Sequence, residues 1–139
     1  MNRIFLLFLC VVLVATIGCG NKQSLRGTVT FSDDGSPVPT GTVYFSTPTF
    51  EATGQIKQDG TYAVSSTGKE DGIPKGQTYT VTVVGVEDEE ITQDANGNVT
   101  SRKRTPLIDP KYNRKETSGL TFTSDGASKF DIKLDRAAK

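Results

Sequence analysis

Residues 78–86 read TYTVTVVGV and give the strongest strand signal in the chain. Tyr79, Val81 and Val83 alternate with threonines, so they would line one face of a β-strand. Val84 and Val86 add apolar side chains on the other face. Because a strand with apolar side chains on both faces is typical of a sheet interior, we predict that this strand lies at the centre of a sheet.

Six further stretches have strand patterns on either side of this segment. In residues 25–32, for example, Leu25, Val29 and Phe31 would share one face. The Asp59-Gly60 pair predicts a two-residue hairpin turn, and residues 125–128 predict a second hairpin near the C-terminus. The other predicted strands are residues 41–46, 53–58, 61–66, 119–124 and 129–135. The mature chain is therefore predicted to be all-β, a seven-stranded antiparallel β-sandwich over residues 25–139.

Residues 87–118 interrupt this series, and we predict a long irregular loop there. The segment has an acidic start at residues 87–90, a polar turn, and a basic run of Arg102, Lys103 and Arg104. Its last part, PLIDPKY at residues 106–112, has enough apolar and proline content to lie against the sandwich. Loops longer than about 15 residues are often functional or disordered, and we consider this segment as a candidate recognition element.

The composition excludes several classes of function. The chain of 139 residues has 16 basic and 16 acidic residues and no histidine. Balanced charge creates no net field for nucleic acid, so no nucleic-acid partner is expected. Without histidine the chain lacks the usual general base and the commonest transition-metal ligand. We therefore expect no enzyme, cofactor or metal site, with a small carboxylate-dependent hydrolase as the alternative that residue types leave open.

Residues 1–18 have the features of an export signal. Arg3 is followed by an uncharged apolar stretch at residues 4–17. As a helix this stretch would rise about 21 Å, which is short of the roughly 30 Å hydrocarbon core of a bilayer. The sequence therefore predicts a signal-peptide helix that precedes the mature fold, rather than a transmembrane helix.

The end of this signal contains one of the two cysteines of the chain. Thr16, Ile17, Gly18 and Cys19 resemble a bacterial lipobox, at which the cysteine is lipidated and becomes the new N-terminus. We predict lipidation of Cys19. Three other interpretations stay open: a disulfide with Cys10, an uncleaved membrane anchor, and ordinary secretion.

Lipidation of Cys19 implies a location at the bacterial cell envelope. Residues 19–24 would form the lipidated N-terminus and a short linker to the domain. Gly20 rather than aspartate follows the cysteine, so no inner-membrane retention signal is evident. We expect outer-membrane delivery if the cell has two membranes. The membrane is then the first partner, and an envelope protein or a polysaccharide is the second that we consider.

Four motifs occur in order along the mature chain. They are GTV at residues 27–29, GSPVP at 35–39, DGTY at 59–62 and PKGQTYTVTV at 74–83. This order resembles the carboxypeptidase regulatory-like domain, a transthyretin-like (prealbumin-like) Greek-key sandwich found in small bacterial lipoproteins. The resemblance implies a structural or binding role. The enzymatic branches of this fold rely on histidines, which this chain lacks.

Five side chains are candidates for contact with a ligand or partner. Tyr44 is predicted to face outward from its strand, and Tyr44 or Tyr112 could stack on a sugar. The basic run Arg102, Lys103 and Arg104 could contact anionic headgroups or wall polymers. We therefore expect a non-catalytic, lipid-anchored envelope protein whose β-sandwich is a structural or interaction module. The alternative is a carbohydrate- or peptide-binding surface lipoprotein.

Overall fold

A computed structural model describes residues 21–68 and 71–138 of the protein. The signal segment, Cys19 and the lipobox lie outside the described residues, and so do the predictions made for them. The described chain contains β1 (Lys22–Gln23), β2 (Arg26–Phe31), β3 (Thr42–Ser46), β4 (Glu51–Gln55), β5 (Thr61–Ser65), β6 (Ile73–Pro74), β7 (Thr78–Val84), β8 (Glu87–Gln93), β9 (Val99–Pro106), a 3-10 helix (Pro110–Asn113), β10 (Leu120–Thr123) and β11 (Ile132–Leu134).

Seven of these strands form one curled sheet in the order β10-β7-β3-β4-β5-β2-β11. They correspond to the seven strands expected from the sequence, so the all-β class is confirmed. The pairing differs from a fully antiparallel sandwich at one edge. There β11 runs parallel to β2, with Ile132 opposite Val29 and Leu134 opposite Phe31. The sheet is therefore mixed.

One of the two predicted hairpins is confirmed. The segments that flank Asp59-Gly60 pair as β4 and β5, and the Gly60 amide donates a 2.8 Å hydrogen bond to the Lys57 carbonyl. The hairpin predicted around residues 125–128 is wrong, because β10 pairs with β7 whereas β11 pairs with β2. Residues 124–131 carry the chain from one edge of the curled sheet to the other.

Strand β7 lies inside the sheet, between β10 and β3. Its apolar pattern thus correctly predicts an interior strand, although not its exact place in the sheet. Tyr79, Val81 and Val83 are fully buried. The strand is second from one edge of the sheet rather than at its centre, because only β10 follows it on that side. The 3-10 helix also contacts β7.

An aromatic cluster around Phe45 forms the middle of the core. The ring of Phe45 lies 6.0–6.5 Å, centroid to centroid, from the rings of Tyr62, Tyr79, Phe122 and Phe130. Such pairs contribute about 0.5–1.5 kcal/mol each beyond the burial of their area. Because these rings come from four different parts of the chain, the cluster fixes how the sheet curls.

The N-terminal residues 21–25 belong to the fold rather than to a linker. The Asn21 carbonyl accepts a 2.9 Å hydrogen bond from the Lys75 amide, and β1 pairs with β6. The buried Gln23 side chain donates to the Ala127 carbonyl at 2.7 Å and accepts from the Gly126 amide at 3.1 Å. The predicted linker at residues 19–24 is thus corrected, since the chain is fixed from residue 21 onward.

Residues 87–118 are ordered elements and not the irregular loop predicted from the sequence. Strands β8 and β9 form a separate two-stranded hairpin. The following residues return to the body, where Ile108 and Tyr112 are buried. This burial agrees with the expectation that the PLIDPKY segment lies against the sheet. We call the hairpin, residues 87–106, the arm.

Candidate functional site

The arm is a two-stranded antiparallel ribbon closed by a tight turn. Glu89 lies opposite Arg104, Ile91 opposite Arg102 and Gln93 opposite Val99, with a bulge between Thr92 and Gln93. At the tip, the Asp94 carboxylate accepts hydrogen bonds from the Asn96 amide at 2.9 Å and from the Asn98 amide at 2.9 Å. These bonds lower the pKa of Asp94, with the bonds from Asn98 as the largest cause. The tip of the arm is thus a hydrogen-bonded turn.

The base of the arm is fixed in the body of the protein. The Leu107 amide donates a 3.0 Å hydrogen bond to the Val86 carbonyl, and Val86 and Ile108 are buried on either side. Between these anchoring residues every residue of β8 and β9 is exposed. The arm therefore projects from a fixed base and contributes neither of its faces to the core.

The two strands of the arm carry opposite charges. Strand β8 begins with four acidic residues, and β9 contains Arg102, Lys103 and Arg104. The Glu89 carboxylate lies 3.5 Å from Arg104 and 3.9 Å from Arg102. Because all three side chains are largely solvated, such pairs contribute little to stability. The charges remain available to a partner.

One face of the arm also carries exposed apolar side chains. Ile91 is 47% exposed and Val99 is 45% exposed, and they are the exposed large hydrophobic residues of the described chain. The register places Glu89, Ile91 and Val99 on this same face, together with Arg102 and Arg104. We call it the apolar face of the arm; Glu90, Thr92, Ser101 and Lys103 occupy the opposite face.

The arm and residue 21 lie near opposite ends of β7. Lys75, which bonds to Asn21, comes shortly before the first residue of β7, Thr78. The arm begins three residues after its last residue, Val84. A strand of this length rises about 20 Å. The base of the arm is therefore separated from residue 21 by about the length of β7.

The predicted contact residues fall in three separate places. Arg102, Lys103 and Arg104 are exposed on β9 of the arm. Tyr44 is half-buried on β3, where it pairs with Thr53 and Thr82 within the sheet. Tyr112 is 5% exposed, which is a correction, because its ring is not accessible for stacking on a sugar.

The hydroxyl of Tyr112 belongs to a hydrogen-bonded cluster at the C-terminal end of the fold. It donates to the Asp135 carboxylate at 2.9 Å, which also accepts from Lys111 at 2.7 Å and from Ser32 at 2.7 Å. These donors, Lys111 first, lower the pKa of Asp135 to about 2. Next to it, Arg136 binds Asp33 at 2.7 Å and Asp34 at 2.9 Å and stacks on Phe31. These carboxylates hold the C-terminus in place.

A shallow groove crosses the outer face of β2 and β5. It has a volume of about 480 Å³, and its floor includes Gly27 and Ala63. Three cations border it: Arg26, Lys57 and Lys129. Lys129 is ion-paired with Asp131 at 2.8 Å, so the excess positive charge is small. Sequence reasoning did not identify this groove, because the three cations are distant along the chain.

Two absences apply to the described residues alone. Residues 21–68 and 71–138 contain no group of three or more histidine, cysteine, aspartate or glutamate side chains positioned to hold a metal ion. Within the same residues, no helix has the length and hydropathy needed to cross a bilayer.

Comparison with known proteins yields no family assignment. No family model matches the chain, and no curated protein matches it. Among solved structures, a 9R-lipoxygenase from Cyanothece PCC8801 matches 81% of this chain at 13% identity with a TM-score of 0.37. The match spans 16% of the lipoxygenase chain. At this TM-score the likeness supports no inference about fold or function.

Proposed function

We propose that this protein is a non-catalytic, lipid-anchored envelope protein of the carboxypeptidase regulatory-like type and that the arm is its recognition element. The observation that carries the proposal is the exposure of both arm faces along β8 and β9. An isolated two-stranded hairpin is marginally stable in water and usually needs further packing. An arm whose faces are exposed among the described residues of its own chain is suited to packing on a partner.

The charge of the arm favours a specific partner over general adhesion. Residues 87–106 contain five acidic and three basic side chains, and the two signs are separated on adjacent strands, so the ribbon is not a uniform surface for a polyanion or a polycation. A partner must instead match an acidic row and a basic row in register. Electrostatic complementarity of this kind gives specificity more than affinity.

The N-terminal attachment supports an anchored module with a defined orientation. Residue 21 is already hydrogen-bonded to the body, so Cys19 is two residues from a fixed point. Two residues of extended chain span at most about 7 Å. A lipid on Cys19 would hold the domain against the bilayer, with the base of the arm at the other end of β7.

The carboxylates of the fold support a non-catalytic role. Asp34 and Asp135 have pKa values lowered to about 2 by their hydrogen-bond donors. Asp71 has its pKa lowered further by Lys22 and Ser66. A general acid needs a raised pKa, and these groups are held ionised and engaged in structural contacts.

The anchor is tested by expressing the full chain in a bacterium that processes lipoproteins. We expect the mature N-terminus to be Cys19 with attached lipid, measured by mass spectrometry of membrane extracts. The variant Cys19→Ala should move to the soluble fraction. An intact N-terminus at Met1, or unchanged membrane partition of the variant, would refute the anchor.

The recognition role is tested with a photo-crosslinking residue in place of Ile91. A matched control carries the same residue in place of Lys133, which is exposed on β11. We expect a specific protein adduct in intact cells from Ile91 alone. Equal labelling from both positions, or none from either, would contradict recognition by the arm.

A second candidate function rests on the groove. The small lining residues Gly27 and Ala63, with Lys57 at the border, would suit a short glycan that carries an acidic group. Binding of an oligogalacturonate, measured by calorimetry, should weaken at least several-fold in Lys57→Ala, whereas a neutral oligosaccharide should not bind. Identical affinities for the two sugars would eliminate this candidate.

A further inference from the structure

We infer that the partner of the arm is a second copy of this chain, docked apolar face to apolar face about a two-fold axis parallel to the arm. This inference names the partner of the recognition element proposed above and so rests on that proposal. It is carried by the charge pattern of the two strands and by the two exposed apolar residues on one face.

The direction of the axis follows from the charges. When the axis runs along the arm, β8 of one copy lies over β9 of the other. Glu89 then faces Arg104 of the second copy, because these two residues are already opposite each other in one arm. A two-fold axis across the arm would place β8 over β8 and β9 over β9, so that no acidic residue would lie over a basic one. Only the first arrangement pairs unlike charges.

The apolar residues fit the same arrangement. Gln93 is opposite Val99 in the register, so Ile91 and Val99 are diagonal neighbours near the tip. In the two-fold pair, Ile91 of each copy would lie over Arg102 of the other and diagonal to its Val99, so the apolar side chains of both copies flank the axis near the tip. Each of these side chains would lose much of its 45–47% exposure. The opposite face, with Thr92 and Ser101 at this level, offers no apolar contact.

Edge-to-edge pairing of arms is a poorer solution. Strand β8 of one copy could pair with β9 of the next, but this contact is head-to-tail and would not close into a dimer. Rows of charged residues on exposed edge strands also discourage such pairing. Face-to-face docking closes after two copies and leaves the charged edges in water.

The orientation of the arms matches attachment to one membrane. With the axis along the arm, both arms point in the same direction, and residue 21 of each copy lies at the same level along the axis. Two copies anchored in the same bilayer could therefore meet without turning over. The antiparallel arrangement would direct the two anchors away from each other.

The size of the contact predicts a weak dimer. The arm face is about 23 Å long and about 10 Å wide, so the pair buries roughly 500 Å² in total. Stable interfaces bury at least about 1,000 Å². Confinement to a membrane raises the effective concentration and favours such a contact. We therefore expect the dimer on membranes.

The test is chemical crosslinking of the full chain in native membranes. The variants are Val99→Cys on the apolar face and Ser101→Cys on the opposite face, each treated with a short bismaleimide. We expect a species of twice the monomer mass from Val99→Cys at ten or more times the yield from Ser101→Cys. The wild-type protein gives the background. Equal yields from the two variants would overturn the inference.

Charge reversal provides a second, independent readout. Glu89→Arg should reduce the Val99→Cys crosslink at least tenfold, because it opposes like charges across the axis. Adding Arg104→Glu should restore the crosslink, since the exchanged side chains would again place unlike charges opposite each other across the axis. Failure of the double variant to restore it, with both variants folded by circular dichroism, would overturn the pairing.

The outcomes separate this inference from the proposed function. If the Ile91 photo-crosslinker captures a different protein while Val99→Cys stays monomeric, the arm recognises another partner and the dimer is refuted. If neither experiment gives an arm-dependent product, the recognition role fails with it.

Discussion

The rings of Phe122 and Phe130 lie 5.0 Å apart, although they belong to opposite edges of the seven-stranded sheet. Phe122 is on β10, and Phe130 precedes β11. Both rings also pack on Phe45, so the two edges converge over the same core side chain. This contact closes the curled sheet over the core. One continuous sheet therefore encloses the apolar side chains that two packed sheets enclose in a sandwich.

Removal of the Phe122 ring should destabilise the whole fold. Phe122 is 6% exposed, and Phe122→Ala should lower the free energy of unfolding by about 3–5 kcal/mol. The neighbouring exposed residue gives the control, since Thr121→Ala should stay within about 0.5 kcal/mol of wild type. Urea denaturation followed by circular dichroism measures both. Similar losses for the two variants would show that the edges do not meet.

The sheet can close because Gly27 has no side chain. A Cβ at this position would overlap the carbonyl oxygen of Phe130, which accepts a 2.6 Å hydrogen bond from the Tyr62 hydroxyl. We expect Gly27→Ala to cost about 3 kcal/mol, because backbone must move. Gly35→Ala introduces backbone strain at φ 71° but no overlap, and should cost about 1 kcal/mol. A larger loss of thermal stability for Gly35→Ala than for Gly27→Ala would contradict this account.

The strands of the sheet could be predicted because burial leaves a periodic signal. Val81 and Val83 are inward and buried, as the alternation in residues 78–86 predicts. The parallel pairing of β11 with β2 could not be predicted in the same way. It depends on the close approach of residues 128–130 to β2, with the Arg26 amide bonded to the Ser128 carbonyl at 3.0 Å. The turn residues at 125–128 are compatible with a hairpin between β10 and β11 and also with the observed path that brings β11 to β2.

The arm was missed because neither of its strands has a buried face. Apolar alternation detects a strand only where one face is covered, and every residue of β8 and β9 is exposed. A usable signal was present in the charges, since an acidic and a basic stretch flank Asn96-Gly97, a common hairpin turn. The prediction that the Tyr112 ring is accessible failed for a different reason. Its hydroxyl bonds to Asp135, which is distant in the sequence, so the local pattern does not reveal this contact.

The N-terminal attachment predicts a measurable role for Gln23. Its buried side chain bridges the Ala127 carbonyl and the Gly126 amide. Gln23→Ala should destabilise the protein by about 1–3 kcal/mol, because it leaves buried polar groups without partners. Lys22→Ala removes a solvated ion pair with Asp71 and should cost at most about 1 kcal/mol. Equal effects in thermal melts would argue that residues 21–25 are a loose linker after all.

Asp135 predicts a defined dependence of stability on pH. Its folded pKa of about 2 lies below the ordinary aspartate value, so it stabilises the fold above about pH 4. This stabilisation is lost as the pH falls from about 4 to about 2. Asp135→Asn should therefore lower Tm at neutral pH, and its difference from wild type should close across that range. Asp88→Asn on the exposed arm is the control. A difference in Tm between Asp135→Asn and wild type that stays constant with pH would refute the stabilising role of Asp135.

Deletion of the arm should leave the body of the protein intact. Because the Leu107 amide is hydrogen-bonded to the Val86 carbonyl at 3.0 Å, an Asn-Gly turn can replace residues 87–106 without moving the base. The arm adds no buried side chain, so we expect Tm to change by less than about 3 °C. Amides of the intact arm should exchange with solvent much faster than those of β7, as measured by mass spectrometry. A large loss of Tm would mean that the arm supports the fold, and both its proposed recognition role and the dimer would then lose their basis.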